Sequence, residues 1–246
     1  MTELELPKSH PRYESLLTRH RIEAGVDLGI TSRQGLIAQG RGEAFDYLLG
    51  ERTLDSADRA ERVAAAHLLR AEHAVLSVNG NVAALAPAEM VELAEVTGAR
   101  LEVNLFNRTE TRMEAIVDHL RDHGADDVYG LKADGRIPDI DHERAKIDAD
   151  GIGAADVVLV PLEDGDRAAA LSEMGKIELV VDLNPLSRSA QSADVPIVDN
   201  LVRAVPNVTE HARDLREASR DELDAIIDSF DADAALADAE NAIRSA

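Results

Sequence analysis

Apolar residues change their spacing along this chain in a regular way. Short runs rich in Val, Ile and Leu occur in "AVLSV", "RLEVNLF", "DDVYGL", "ADVVLVPLE", "IELVVDLN" and "VPIVDN". Between most of them lie longer segments with apolar positions every three or four residues, the period of an amphipathic helix. Such helices are expected in "PAEMVELAEVTG", closed by Gly98, and in "TETRMEAIVDHLRDHG" and "DRAAALSEMG", the last with Asp166 as its N-cap. Upstream, "RYESLLTRHRIEAGVDLG" has helical spacing at Tyr13, Leu16, Leu17 and Ile22, after Ser9 and Pro11. "TSRQGLIAQGRGEAFDYLLG" reads as two helical pieces interrupted by Gly35, Gly40 and Gly42. "DSADRAERVAAAHLLRAEH" reads as a helix with an Asp or Ser N-cap, and from Leu201 onward the chain is helical and acidic.

Continuous apolar runs alternating with helices predict a parallel sheet covered on both faces. The chain is expected to form one α/β domain over 1–246, mainly helical over 1–73, with the sheet core over 74–200 and a helical tail over 201–246. In open parallel sheets, ligands bind beyond the carboxyl ends of the strands. That rule sends "VNGNVAA", "NLFNRTE", "PLEDGDR", "DLNPLSRS" and "VDN" to one edge. Asp182, Asn184, Arg188, Ser189, Asp199 and Asn200 stand there as candidate ligand contacts, and Asn79, Asn81 and the loop 163–167 share that edge.

Composition narrows the picture. The 246 residues can bury roughly 70–75% of their unfolded surface. With aromatics at 2%, the core must be built from Ala, Val, Leu and Ile. The absence of cysteine excludes a disulfide frame, a thiolate zinc site and a cysteine nucleophile. No apolar run approaches the ~20 residues of a membrane span and "MTELELPKSH" is not a signal peptide, so a cytoplasmic protein is expected. Asp and Glu number 48 against 26 Lys and Arg, a net charge of −22. That balance argues against general nucleic-acid binding and suits a surface solvated in high salt, where the Debye length falls to about 3 Å at 1 M.

Familiar nucleotide and metal signatures are absent. "GIGAAD" at 151–156 carries Asp156 at the third glycine position and precedes a strand; "GRG" at 40–42 has Phe45 there. There is no G-x-x-x-x-G-K-[ST], and "HERAKID" lacks the second histidine of a zinc helix. No resident metal site is expected. Arg41, between two glycines, offers planar donors for phosphate, while an ordinary turn with a surface arginine explains the same residues.

Taken together the motifs are more specific. "PKSHPRYESL", "GLIAQGRGEAFDYLLGERT", "SVNGNVAAL", "LEVNLFNRTETR", "DHERAKID", "ADVVLVPLEDGDR" and "DLNPLSRSAQSADVPIVDNLVRA" resemble, in this order, the archaeal 4-phosphopantoate–β-alanine ligases, also called phosphopantothenate synthetases. The likeness runs from about residue 7 to 230 and departs from the family at Gln39, where the family carries histidine. The resemblance implies a Rossmann-like fold, a homodimer, and an ATP- and Mg²⁺-dependent ligase of coenzyme A biosynthesis. Such an enzyme joins 4-phosphopantoate to β-alanine through an acyl-adenylate, with release of AMP and diphosphate. Carried over position by position, its ATP contacts fall on Arg19, Arg41, Asp182, Leu183, Asn184, Arg188, Ser189, Asp199 and Asn200. Either Asp182 or Asp199 would accept from ribose or adenine. Asn79, Asn81, His142, Arg144 and Asp164 are candidates for the acid and amine substrates, and no catalytic base is assigned. A salt-adapted archaeal member fits the acidity. A kinase or an ATP-sensing regulator is the competing expectation, and a non-catalytic acidic interaction protein a third.

Overall fold

The structure, a computed structural model, describes residues 7–162 and 165–246. Three helices lead: α1 (Tyr13–Asp27), α2 (Arg33–Leu49) and α3 (Asp55–Arg70). They are followed by β1 (Ala74–Val78), α4 (Gly80–Leu85), α5 (Pro87–Thr97), β2 (Arg100–Val103), α6 (Glu110–Asp122) and β3 (Val128–Tyr129). A two-strand antiparallel ladder, β4 (Gly135–Arg136) with β5 (Lys146–Ile147), precedes β6 (Val157–Pro161). The chain continues through α7 (Gly165–Glu173), β7 (Ile177–Val181), α8 (Arg188–Ser192) and β8 (Val195–Ile197). It ends in α9 (Leu201–Asp214), α10 (Arg220–Asp228) and α11 (Ala232–Arg244).

Six strands pair in parallel in the order β3-β2-β1-β6-β7-β8. Without the small ladder this is the 3-2-1-4-5-6 order of a doubly wound Rossmann sheet, reversing direction between β1 and β6. Side chains alternate across it. Leu76, Val78, Leu159, Leu179 and Val181 join one core with Leu68 of α3 and Val208 of α9. Val75, Val158, Val160 and Val180 join the other with Leu171 of α7 and Ile137, Ile147 and Ile152 of the 130–155 segment. Burial on both faces explains why these strands read as unbroken apolar runs. Gly98, at φ 74°, closes α5 in the left-handed conformation, as its sequence suggested.

Three local expectations are corrected. The glycines of α2 do not interrupt it: the helix is continuous from Arg33 to Leu49. A Cβ on Gly35 would come closer than 3.0 Å to Thr31 and Asn81, and one on Gly42 would meet Asn200 at 3.3 Å, so both glycines permit close approach. Tertiary packing outweighs the ~1 kcal/mol helix cost of each glycine. Next, α3 takes Leu54 as its N-cap with no side-chain cap; Asp55 and Asp58 instead lie in the first turn, where the helix dipole favours them. Likewise α7 starts at Gly165 with Asp166 inside its first turn, not at the cap.

A buried ionic network ties the tail to the α2–α3 end. The Arg203 guanidinium on α9 donates to Asp46 Oδ1 at 2.7 Å and to Asp199 Oδ1 at 2.6 Å. Asp46 also accepts from Asn200 Nδ2 at 2.9 Å, and the Thr53 hydroxyl donates to Asp199 at 2.6 Å. Burial pushes the Asp199 carboxyl up, with Arg203 opposing the shift. Among the described residues, no helix is long and apolar enough to cross a membrane.

Candidate functional site

Because the six strands run in parallel, β1, β6, β7 and β8 end at one edge, where their loops meet. Asn79, directly after β1, organises the reversal point. Its Oδ1 accepts from the amides of Asn81 (3.0 Å) and Val82 (3.1 Å), starting α4, and its Nδ2 donates to Pro161 O of β6 at 3.0 Å. Asn81 in turn accepts from the Thr31 hydroxyl and donates to Gly35 O at 3.0 Å, fixing the first turn of α2 over the sheet edge. A Cβ on Gly80 would strike Ile30 O and Arg112 Nη2, so "NGN" is a packing solution as well as a turn.

Beyond β7 the loop folds on itself. Asp182 accepts from Asn184 N at 3.2 Å and from the Ser187 hydroxyl at 2.5 Å, while Ser187 Oγ caps α8 at Ala190 N, 3.0 Å away. This presents Arg188 and Ser189 at the start of α8. Arg188 lies across Gly165, where a Cβ would meet its side chain, and pairs with Asp166; both side chains are 71% exposed.

Between these parts runs a trough. Its larger part, about 850 Å³, is bounded by Arg41 and Phe45 of α2 and by Asp182, Asn184, Arg188 and Ser189. Its smaller part, about 440 Å³, is bounded by Ser32, Asn79, Asn81, Asn107 and Arg112. Ala38, Phe106, Arg144 and Leu162 line both, so the two form one continuous depression along the sheet edge. Each falls within the 300–1,000 Å³ usual for small-molecule sites.

Of the residues that the resemblance assigned to ATP, Arg41, Asp182, Leu183, Asn184, Arg188 and Ser189 stand on the wall of the larger part. Arg41 makes no hydrogen bond or ion pair among the described residues, leaving its donors available. Arg19, Asp199 and Asn200 line neither part. Arg19 forms a bidentate pair with Glu43 at 2.7 and 2.6 Å, joining α1 to α2. Asp199 and Asn200 are buried in the ionic network behind the wall. Asn79, Asn81 and Arg144 line the smaller part. The His142 ring lies 4.9 Å from Phe106 at 36°, one residue behind the wall. Asp164 lies outside the described residues. Gln39 is turned away, its amide donating to Thr18 at 2.7 Å between α2 and α1.

Arg112, within the motif "LEVNLFNRTETR", also stands on the wall of the smaller part. Its guanidinium donates to the carbonyls of Asn107 (2.7 Å) and Ile30 (3.1 Å) and pairs with no carboxylate among the described residues. Burial lowers its pKa. In a chain with 22 excess negative charges, a half-buried cation left without an anion suits an anionic ligand. Only the pattern of partners reveals this; Arg112 in "TETR" looks like any first-turn helix residue.

The sequence profile of the phosphopantothenate/pantothenate synthetase family matches residues 56–246. The chain is 57% identical over 213 residues to a protein of Thermococcus onnurineus named 4-phosphopantoate–β-alanine ligase, covering 86% of this chain and 82% of that one. A protein of the same name from Thermococcus kodakarensis gives the same figures. One from Methanosarcina mazei is 56% identical over 211 residues, covering 86% of this chain and 83% of its own. On this extent of likeness, the chain belongs to the phosphopantothenate/pantothenate synthetase family.

Proposed function

We propose that this protein is an ATP-dependent ligase that joins 4-phosphopantoate to β-alanine, forming 4'-phosphopantothenate, AMP and diphosphate in the cytoplasm. The observation that carries the reading is one trough with two cationic ends, Arg41 and Arg188 in the larger part and Arg112 in the smaller. A carboxylate does not condense with an amine at neutral pH until one of its oxygens becomes part of a leaving group. Attack of the phosphopantoate carboxylate on the α-phosphorus of ATP forms a C–O–P bond, expels diphosphate and gives the acyl-adenylate. Attack of the β-alanine amine on the acyl carbon then expels AMP. Both steps depend on alignment and charge stabilisation more than on covalent help from the protein.

In this reading the nucleotide occupies the larger part. Arg41 and Arg188 hold phosphate oxygens through paired N–H donors, and Asn184 and the Ser187–Ser189 turn orient the remainder. Arg112 with Asn107 and Ser32 receives the phosphate of 4-phosphopantoate, which places its carboxyl end toward Arg144 at the junction. Mg²⁺ bound to the triphosphate neutralises phosphate charge; Asp166 and Asp182 are the carboxylates on this wall among the described residues that fit an oxygen-seeking cation. A second copy of the chain covers the outer face of α2, where Ile37 is 71% and Tyr47 81% exposed beside Leu36.

Product analysis in high salt tests the reading. Formation of AMP and diphosphate that requires ATP, Mg²⁺, 4-phosphopantoate and β-alanine together is expected. ADP as the product, or equal use of unphosphorylated pantoate, refutes it.

A further inference from the structure

Away from the trough, the packing of α3 against α9 gathers three side chains of metal-binding type. Asp58 and Glu61 stand one turn apart on α3, and His211 faces them from the last turn of α9. Each offers one donor atom, and these atoms lie within 4.8 Å of one another. His211 Nε2 is 3.0 Å from Asp58 Oδ1. Glu61 is 0% exposed; its Oε2 accepts from Asn207 Nδ2 at 2.9 Å, while its Oε1 meets neither solvent nor a donor among the described residues. A buried carboxylate with one bare oxygen carries an uncompensated desolvation cost. Arg203, the cation of the adjoining network, bonds to Asp46 and Asp199 through Nε and Nη2 and makes no hydrogen bond to Glu61. A cation seated between Glu61, Asp58 and His211 would supply the missing partner.

We propose that Asp58, Glu61 and His211 form a binding site for a divalent transition-metal ion of the zinc type, with water completing its coordination. One imidazole nitrogen and two carboxylate oxygens favour such an ion over Mg²⁺ or Ca²⁺, which take oxygen alone. Bonds of about 2.0–2.2 Å put tetrahedral donors about 3.3–3.6 Å apart, so side-chain closure of about 1 Å completes the site. The Asp58 side chain is 60% exposed and His211 18%, which leaves a route from solvent and room for water. The ion would pin α3 to α9, and the chain Glu61–Asn207–Thr53–Asp199 would connect it to the end of β8. This site is independent of the ligase reading and of the Mg²⁺ that accompanies ATP.

The test is calorimetric titration of chelator-treated, full-length protein with Zn²⁺ at pH 7.5 in KCl, repeated with Co²⁺ for its visible absorption. One ion per chain is expected, with affinity falling more than about tenfold in both His211→Ala and Asp58→Asn. His119→Ala, which disrupts a close histidine pair away from the site, His119 on α6 with His123 just past its end, should leave binding intact. Zn²⁺ should raise the melting temperature of the wild type and not of His211→Ala, whose circular dichroism reports whether it is folded. Absence of saturable binding, undiminished affinity in folded His211→Ala, or loss of binding in His119→Ala overturns the proposal.

Discussion

Two glycines five residues apart on α2 should respond to alanine with opposite signs. At Gly35 a Cβ would come within 3.0 Å of Thr31 Oγ1 and Asn81 Oδ1, two atoms already hydrogen-bonded to each other. Overpacking of this kind costs about 1–3 kcal/mol, and weakening the Thr31–Asn81 bond adds about 1 kcal/mol. The helix-propensity gain returns about 1 kcal/mol. Gly35→Ala should therefore lose about 1–3 kcal/mol net, or roughly 2–12 °C in Tm for a chain this size. At Gly40 nothing lies within 4 Å of the added methyl, so only the propensity gain remains. Gly40→Ala should gain about 1 kcal/mol, or about 2–4 °C. Far-ultraviolet circular dichroism is the suitable probe, because the chain has no tryptophan. Since Thr31, Gly35 and Asn81 line the smaller part of the trough, Gly35→Ala should raise KM for 4-phosphopantoate several-fold more than KM for ATP. Equal stabilisation by both substitutions would refute the packing argument, and an equal rise in both KM values would refute the assignment of the two ends.

In the proposed function Arg188 makes a charge-assisted contact with ATP of about 1.5–3 kcal/mol, so Arg188→Ala should weaken ATP use roughly 10- to 150-fold at subsaturating ATP. Arg188→Lys should recover part of that loss, while Arg216→Ala, between α9 and α10, should stay near wild-type activity; steady-state AMP formation reads all three. Glu102 is fully buried, and burial pushes its carboxyl from 4.5 up to about 7, against the backbone donors Ile152 N and Asp148 N. A raised carboxyl stabilises the fold fully below pH 4.5 and loses that contribution as pH climbs to about 7, here about 3 kcal/mol. Chemical denaturation at pH 5 and pH 7.5 should show this decline in wild type and a flatter profile in Glu102→Gln; identical slopes would exclude Glu102 as the source.

Much of the fold was legible because it depends on patterns local to the chain. Strands buried on both faces must be apolar throughout, so "AVLSV", "VVLVP" and "IELVV" stood out, and the parallel rule then brought Asn79, Asp182 and Asp199 to one edge. What escaped depends on partners distant in sequence. The continuity of α2 follows from Gly35 fitting against Asn81 and Gly42 against Asn200, neither visible locally. β4 and β5 have two residues each, too few to show a period. Asp199 and Asn200 sit at a strand end as expected, but sequence alone does not reveal Arg203 and Asp46 converging on them from α9 and α2. Arg112 carries no local mark of its missing counter-ion.

The β1–β6 pairing, extended by the Asn79–Pro161 hydrogen bond, has a consequence for how specificity can evolve. The smaller part of the trough draws on the loops after β1 and β2 and the larger part, the nucleotide end in the proposed function, on those after β6 and β7, with α2 walling both. Within the sheet the two sets of loops therefore spring from strands joined across one hydrogen-bonded seam, with their spacing set by interstrand distance and sheet twist rather than by hinge closure. In the proposed function, loops on the acid side can drift, lengthen or be exchanged while the reactive carboxylate still meets the α-phosphorus at the same place. Such a fixed vice lets a lineage change the acid it activates without rebuilding the machinery that activates it.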